Sequence, residues 1–221
     1  RVDNFVINKN YKRNPYRLCY ASCYTRGLER LVKYFFPVLK KLIPQAELHI
    51  YYGYPKPAKF LKFNAEMKKI ISETDGLYEY GRVGIDRIIE EKYKSNFHLY
   101  FTDSQAETDC ISIRESLVTG CIPIISKKNV FYERDGLQFD LDIDDPESYK
   151  MIAETVANYM KDLDKCEDLR KQLSKSETIK SWDQIANYWL ILMGLKNDES
   201  NQITKKIKKN KTIKLDRMKN I

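Results

Sequence analysis

Short apolar runs alternate with amphipathic stretches along most of the chain. The runs have the length and composition of strands, and we expect five of them, at 17–22, 47–52, 77–80, 97–102 and 122–126. The intervening and following stretches repeat apolar residues every three or four positions, which predicts helices at 27–42, 58–73, 86–94, 111–119, 146–163, 166–173 and 182–193. This alternation predicts an α/β fold, a Rossmann-like parallel sheet with helices on both faces.

Turn and cap residues support these boundaries. Pro44 follows the first helix, we expect Asp86 to cap the third helix, and Gly120 ends the fourth. Pro123 lacks a backbone N–H, which favours the beginning of a strand over its middle. In parallel sheets of this kind, ligands bind at the carboxyl ends of the strands, so the turns after the strands are where we expect chemistry.

The charge of the chain is unevenly distributed. The net charge is +8, but residues 196–221 hold nine Lys or Arg against three Asp or Glu, a surplus of six. We therefore expect a linker at 1–16, a near-neutral body at 17–195 and a basic tail at 196–221. The tail is interpreted as a solvated extension or as a weak contact with an anionic membrane surface. It lacks aromatic residues for stacking on bases, which argues against nucleic acid.

Five cysteines, an odd number without CxxC spacing, favour small buried residues over a zinc site or a disulfide framework. No apolar run reaches the roughly 20 residues of a membrane-spanning helix, and the chain opens on Arg without a signal sequence. These features predict a cytoplasmic piece of a longer protein. The phosphate loop of ATPases and the glycine fingerprint of dehydrogenases are both missing from the sequence.

Two carboxylates flank the turn between the fourth strand and the fourth helix. Glu107 lies in a polar turn, and Glu115 lies two helical turns further on. The first N–H groups of a helix have no partner inside the helix and favour an anion, such as a diphosphate. Carboxylates beside that anion would accept hydrogen bonds from hydroxyl groups. A ligand with both a phosphate and several hydroxyl groups is a sugar nucleotide, which is therefore the indicated ligand. Solvated surface carboxylates are the alternative interpretation.

The segment 107–125, ETDCISIRESLVTGCIPII, resembles the E-x7-E signature of family-4-like retaining glycosyltransferases of the GT-B fold. Residues 100–104, YFTDS, occupy the place of that family's strand ending in a Pro-Ser or Pro-Thr turn. Residues 21–53 are similar to its first strand, basic-Gly turn, long helix, second strand and terminal Gly. The resemblance covers about residues 17–195, the nucleotide-sugar-binding half of such an enzyme.

The resemblance implies two catalytic residues. Glu107 would contact the donor sugar and stabilise positive charge at its anomeric carbon, and Arg26 would hold the diphosphate leaving group. Glu115 would bind the ribose hydroxyls. The other implied substrate-binding residues are Ser22, Gly27, the base-bordering Gly81, Arg82 and Val83, and the phosphate-binding amides of Cys110, Ile111 and Ser112.

The implied activity is retaining, metal-independent glycosyl transfer from a UDP- or GDP-sugar, without a cofactor. A GT-B enzyme also needs an N-terminal acceptor-binding domain, which this chain lacks, so we expect that domain elsewhere in the full protein or in a partner chain. A non-catalytic nucleotide-sugar-binding or interaction module of a multidomain protein is the alternative.

The sequence departs from the family pattern at two positions, and other candidates have simpler explanations. Asp109 stands where many members have an aromatic residue, and it would either repel a diphosphate or cap the helix. Cys110 stands where many members have Gly. The acidic run 140–145 is interpreted as a loop that caps the next helix rather than a metal-binding motif, and His49 and His98 as strand residues of the core or edge.

Overall fold

The computed structural model describes Phe5, residues 11–102 and residues 107–196. These residues fall into two compact units, one ending at Ile179 and the other beginning at Lys180. The first unit contains the whole sheet, and the second contains one helix. Most of the predicted linker and nearly all of the predicted basic tail lie outside the described residues, so these domain limits stay predictions.

Six parallel strands form one sheet in the order β3-β2-β1-β4-β5-β6. The five predicted strands are confirmed, and the strands are β1 (Asn14–Ala21), β2 (Glu47–Tyr51), β3 (Leu77–Gly81), β4 (Ser95–Tyr100), β5 (Ile122–Ser126) and β6 (Leu137–Phe139). β6 was not predicted, because three half-buried residues are too few to show a period. β1 begins three residues before the predicted start, inside the expected linker.

The predicted helices are confirmed with small changes at their ends. They are α1 (Leu28–Arg30, Leu31–Phe35 and Phe36–Leu42 in succession), α2 (Leu61–Glu73, preceded by the 3-10 turn Ala58–Phe60), α3 (Ile85–Lys94), α4 (Ile111–Thr119), α5 (Pro146–Lys161), α6 (Leu163–Leu173) and α7 (Trp182–Leu192). The middle segment of α1 is a π-helix. It ends two residues before Pro37, whose missing N–H and bulky ring disturb regular α-helical bonding.

The prediction that Asp86 caps α3 is wrong. The cap position is Gly84 in an extended conformation, and Asp86 lies inside the first turn. There its negative charge faces the positive end of the helix dipole without a capping hydrogen bond. By contrast, the acidic run 140–145 caps α5 as expected, because the Asp145 side chain accepts a hydrogen bond from the Glu147 amide at 3.1 Å.

The helices cover both faces of the sheet. Right-handed crossovers place α1 and α2 on one face, and α3 and α4 on the other, because the direction of strand addition reverses after β3. α5 packs against α1, while α3 packs on β1 and β4 beside α4. The central strands β4 and β5 are fully buried between these layers, and Leu18 of β1 and Leu48 of β2 are also at 0% exposure. This buried sheet is the rigid base on which the turns stand.

The reversal of strand order occurs between β1 and β4, at the centre of the sheet. In doubly wound sheets, the turns after the two strands at such a reversal diverge, and ligands bind in the crevice between them. β1 leads into the turn 22–27, and β4 leads into the segment before α4. None of the helices in the described part of the chain has the length and apolar character of a membrane span.

Candidate functional site

The turn after β1 is held against the end of β4 by a glycine. Gly27 has a φ of +93° and precedes the first residue of α1. A Cβ atom at this position would come closer to the Phe101 carbonyl oxygen than the 3.0 Å that real Cβ atoms keep. Because only glycine permits both the dihedral angle and the approach, the basic-Gly turn lies directly beside β4.

Arg26, Tyr100 and Glu107 form a triangle of hydrogen bonds at this point. Arg26 Nη1 donates to Glu107 Oε2 at 2.7 Å and to the Tyr100 hydroxyl at 2.9 Å. The Tyr100 hydroxyl in turn donates to the same Glu107 oxygen at 2.9 Å. Arg26 keeps 40% of its side chain exposed, whereas Glu107 is 14% exposed. The two residues that the resemblance implied as catalytic are therefore brought together.

Tyr100 is the member of this triangle that sequence reasoning missed. It is the last residue of β4, it is 2% exposed, and its ring packs 5.6 Å from the Phe131 ring. Burial raises the pKa of Tyr100 to about 12, so its hydroxyl keeps its proton at neutral pH. The hydrogen bond to Tyr100 raises the pKa of Arg26. The place of Tyr100 near the carboxyl end of a predicted strand was the sequence feature that could have marked it as a site residue.

Ser22 lies beside the triangle and contacts Tyr100. It directly follows β1, is 8% exposed, and donates from Oγ to the Tyr100 hydroxyl at a long 3.5 Å. At that distance the hydrogen bond is weak. Ser22 thus contacts the cluster through Tyr100.

Cys110 shows why this position in the turn favours glycine. It is the cap residue of α4 and has a φ of +51° and a ψ of 63°, the left-handed conformation that glycine adopts at little cost. After it, Ile111 and Ser112 are the first residues of α4, whose leading amides have no partner inside the helix. Burial, and then the neighbouring Glu107 charge, raise the pKa of the Cys110 thiol to about 12.

Asp109 does not cap α4, so that expectation is wrong, and its carboxylate is paired with two arginines. Its Oδ1 accepts from Arg114 Nη2 at 2.7 Å and forms an ion pair with Arg134. Arg134 is 6% exposed and also donates from Nε to the Asp109 carbonyl at 2.9 Å. Two guanidinium groups thus neutralise this carboxylate and hold the turn before α4 in place.

Glu115 is buried beside Lys92. It is 2% exposed, and its Oε2 accepts from Lys92 Nζ at 3.1 Å. Lys92, from α3, is 1% exposed and also donates to the Ser112 carbonyl at 2.6 Å and hydroxyl at 3.0 Å. The ring of Phe5, itself at 0% exposure, lies 5.5 Å from the same ammonium. This buried pair joins α3 to the first turns of α4.

The residues expected to border a base lie at the same edge of the sheet, but after β3. Gly81 ends β3 with a φ of +64°, and Val83 is 38% exposed. The Arg82 guanidinium lies 4.4 Å from the centre of the Tyr52 ring. Since β2 separates β3 from β1, this loop forms a second region of the carboxyl edge beside the triangle.

The two histidines occupy core positions, as expected. His98 is fully buried, and burial lowers its pKa well below the usual value, with its Nδ1 2.8 Å from the Ser116 hydroxyl. His49 is 4% exposed. All five cysteines are free, and four of them are buried. In the described part of the chain, no group of three or more His, Cys, Asp or Glu is arranged to hold a metal ion.

The arrangement combines an anion-binding edge with a hydroxyl acceptor. Arg26 and the amino-terminal ends of α1 and α4 converge on the crevice between β1 and β4, and the Glu107 carboxylate stands beside them. A guanidinium and helix ends favour phosphate oxygens, while a fixed carboxylate favours hydroxyl groups. In doubly wound sheets of this kind, ligands bind in the crevice at the switch point.

No protein-family model and no curated protein matches this sequence. Solved structures share its fold. Pneumococcal O-GlcNAc transferase GtfA, in complex with UDP and GlcNAc, matches with a TM-score of 0.62 and 16% identity over 84% of this chain and 37% of that chain. The catalytic domain of starch synthase IV from Arabidopsis thaliana, bound to ADP and acarbose, matches with a TM-score of 0.64 and 14% identity over 86% of this chain and 40% of that chain.

HepE from Anabaena, in complex with UDP and glucose, matches with a TM-score of 0.61 and 12% identity over 79% of this chain and 48% of that chain. At such identities the likeness shows the fold alone. The fold is the Rossmann-like α/β fold of GT-B glycosyltransferases, which confirms the predicted fold class. The chain spans less than half the length of each of these three proteins.

Proposed function

We propose that this chain is the donor-binding part of a glycosyltransferase that uses a nucleoside diphosphate sugar. The observation that carries the proposal is the triangle at the switch point: Arg26 from the turn after β1 meets Glu107 from the segment after β4. The neighbouring structures with UDP or ADP are the second support, since they share the fold of this sheet.

In the proposed site, Arg26 and the leading amides of Cys110, Ile111 and Ser112 hold the diphosphate. The guanidinium grips two phosphate oxygens and offsets the charge that develops as the sugar leaves. Two arginines compensate Asp109, so its negative charge does not oppose the diphosphate. These groups provide the charge compensation that a metal ion supplies elsewhere, which is consistent with the metal-independent transfer implied by the E-x7-E resemblance.

Glu107 is the proposed partner of the sugar. Its carboxylate accepts hydrogen bonds from sugar hydroxyls and stabilises positive charge at the anomeric carbon as the bond to the diphosphate breaks. Retention of configuration is proposed from the resemblance. The acceptor would enter from a further domain or a partner chain facing the crevice, because this chain spans less than half the length of each matched structure.

Arg26→Ala tests the donor site. Thermal-shift and calorimetric titrations with UDP, ADP, GDP and their glucose conjugates should show stabilisation of the wild type by at least one nucleotide. Loss of a bidentate phosphate contact should weaken that binding by about tenfold or more. Arg30→Ala is the matched control, since Arg30 lies four residues further on in α1, is 33% exposed and pairs with Asp144. Failure of all three nucleotides to stabilise the wild type would overturn the proposal.

The ribose-binding role of Glu115 is tested separately, because its carboxylate is buried beside Lys92. A wild type that uses Glu115 for the ribose should bind UDP more tightly than 2′-deoxy-UDP. Glu115→Gln should then remove that preference. An unchanged preference in Glu115→Gln would assign Glu115 to the buried ion pair alone. Release of glucose from UDP-glucose in the presence of the wild type would further favour the enzyme over a non-catalytic binding module.

A further inference from the structure

Tyr100 links every charged member of the triangle, although no motif of the sequence points to it. Its hydroxyl accepts from Arg26 at 2.9 Å and donates to Glu107 at 2.9 Å. The hydroxyl stands at the end of a fully buried strand, whereas Glu107 belongs to a turn outside regular structure. Tyr100 therefore connects a residue outside regular structure to the end of a buried strand.

Arg26 has two roles that compete when a diphosphate binds. In the structure its Nη1 is engaged by Glu107 and Tyr100. A diphosphate would draw the guanidinium toward its own oxygens, because two phosphate charges attract it more strongly than one carboxylate. Glu107 would then lose its cationic partner while remaining 14% exposed. A carboxylate in that position needs another donor to keep its orientation.

The Tyr100 hydroxyl is that donor. Since burial raises the pKa of Tyr100 to about 12, its hydroxyl stays protonated and donates to Glu107 Oε2. Packing fixes its ring, with Phe131 at 5.6 Å and His98 at 6.1 Å between ring centres. The hydroxyl therefore occupies the same place whether or not Arg26 has moved.

We propose that Tyr100 is a positioning residue that holds the Glu107 carboxylate toward the donor sugar while Arg26 transfers to the diphosphate. The inference rests on the proposed function. It assigns Tyr100 to the recognition of the sugar rather than of the nucleotide. The part of the binding energy that depends on the sugar should therefore depend on the Tyr100 hydroxyl.

Tyr100→Phe removes the hydroxyl and keeps the ring. Calorimetry on the wild type and the variant, with UDP and UDP-glucose or with ADP and ADP-glucose, gives the ratio of the two dissociation constants. A hydrogen bond to a charged group corresponds to about a tenfold change or more in affinity. We expect the preference for the sugar conjugate to fall by about tenfold, with free nucleotide affinity changed by less than about threefold.

Tyr51→Phe is the matched control. Tyr51 ends β2 as Tyr100 ends β4, and its hydroxyl donates to Glu91 at 2.7 Å, outside the proposed site. Both variants lose a hydroxyl–carboxylate hydrogen bond, so a general loss of stability would affect both. We expect Tyr51→Phe to keep the wild-type preference for the sugar conjugate.

A double-mutant cycle separates positioning from an independent contact. If Tyr100 acts through Glu107, Tyr100→Phe added to Glu107→Gln should change the sugar preference no further. Equal weakening of nucleotide and conjugate by Tyr100→Phe, an unchanged preference, or full additivity in the cycle would each overturn the inference while leaving the donor site intact. A wild type that binds none of these nucleotides would overturn the proposed function and this inference with it.

Discussion

The close approach of Gly27 to β4 makes a quantitative prediction about stability. Gly27→Ala adds one methyl group at a φ of +93° and places it against the Phe101 carbonyl oxygen. The strained dihedral angle costs about 1–3 kcal/mol. Displacing a backbone carbonyl in a packed strand end costs about 1–3 kcal/mol more. The smaller entropy of the unfolded chain returns about 0.4–1 kcal/mol, so we expect a net destabilisation of about 3 kcal/mol.

Gly81→Ala isolates the contribution of the clash. Gly81 also has a left-handed φ, +64°, but a Cβ atom there meets nothing within 4 Å. Its expected cost is the dihedral strain less the entropy gain, about 1 kcal/mol. The difference between the two variants, about 2 kcal/mol, would therefore measure the approach of the β1 turn to β4.

Urea denaturation followed by tyrosine fluorescence and circular dichroism measures both free energies of unfolding. We expect a lower midpoint for Gly27→Ala at an unchanged m-value, and a melting temperature about 6 °C below that of Gly81→Ala. Equal destabilisation of the two variants would show that the turn does not lie against β4. The placement of Arg26 beside Tyr100 would then be wrong as well.

The buried pair and the cysteines give further predictions. Lys92→Met should destabilise the chain by about 3–5 kcal/mol because Glu115 loses its buried cation, and Lys92→Met combined with Glu115→Leu should recover most of that loss in the same urea assay. A double variant as unstable as Lys92→Met would refute the pairing. With a thiol reagent near pH 8, half-exposed Cys23 should react long before Cys110, which is buried with a pKa of about 12. Equal rates in the folded chain, measured by peptide mass spectrometry, would contradict that burial.

Most of the fold followed from local patterns. Apolar runs such as 97–102 and amphipathic stretches such as 58–73 predicted the order and type of the main elements, because burial on a sheet or against it imposes its own period. The pairing of β1 with both β2 and β4 was not predicted, because the handedness of crossovers sets the face on which a helix lies and not the order of the strands. β6 escaped prediction because three residues carry no period.

The candidate site was predicted in part. Arg26 and Glu107 were expected near one crevice, and the structure joins them at 2.7 Å. The resemblance to a motif supplied that expectation, since the two residues lie 81 positions apart in the chain. The proposed roles of the site residues stay predictions until nucleotide binding is measured.

The sequence by itself determined the alternation of strands and helices, and with it the edge of the sheet at which the site lies. Tertiary structure alone decided which side chains meet there. Asp109 pairs with Arg134 across 25 positions, Lys92 reaches Glu115 across 23, and Tyr100 bonds Arg26 across 74. The physical reason is range: periodicity reports the environment of each residue along its own element, whereas a hydrogen bond between elements depends on how the elements pack.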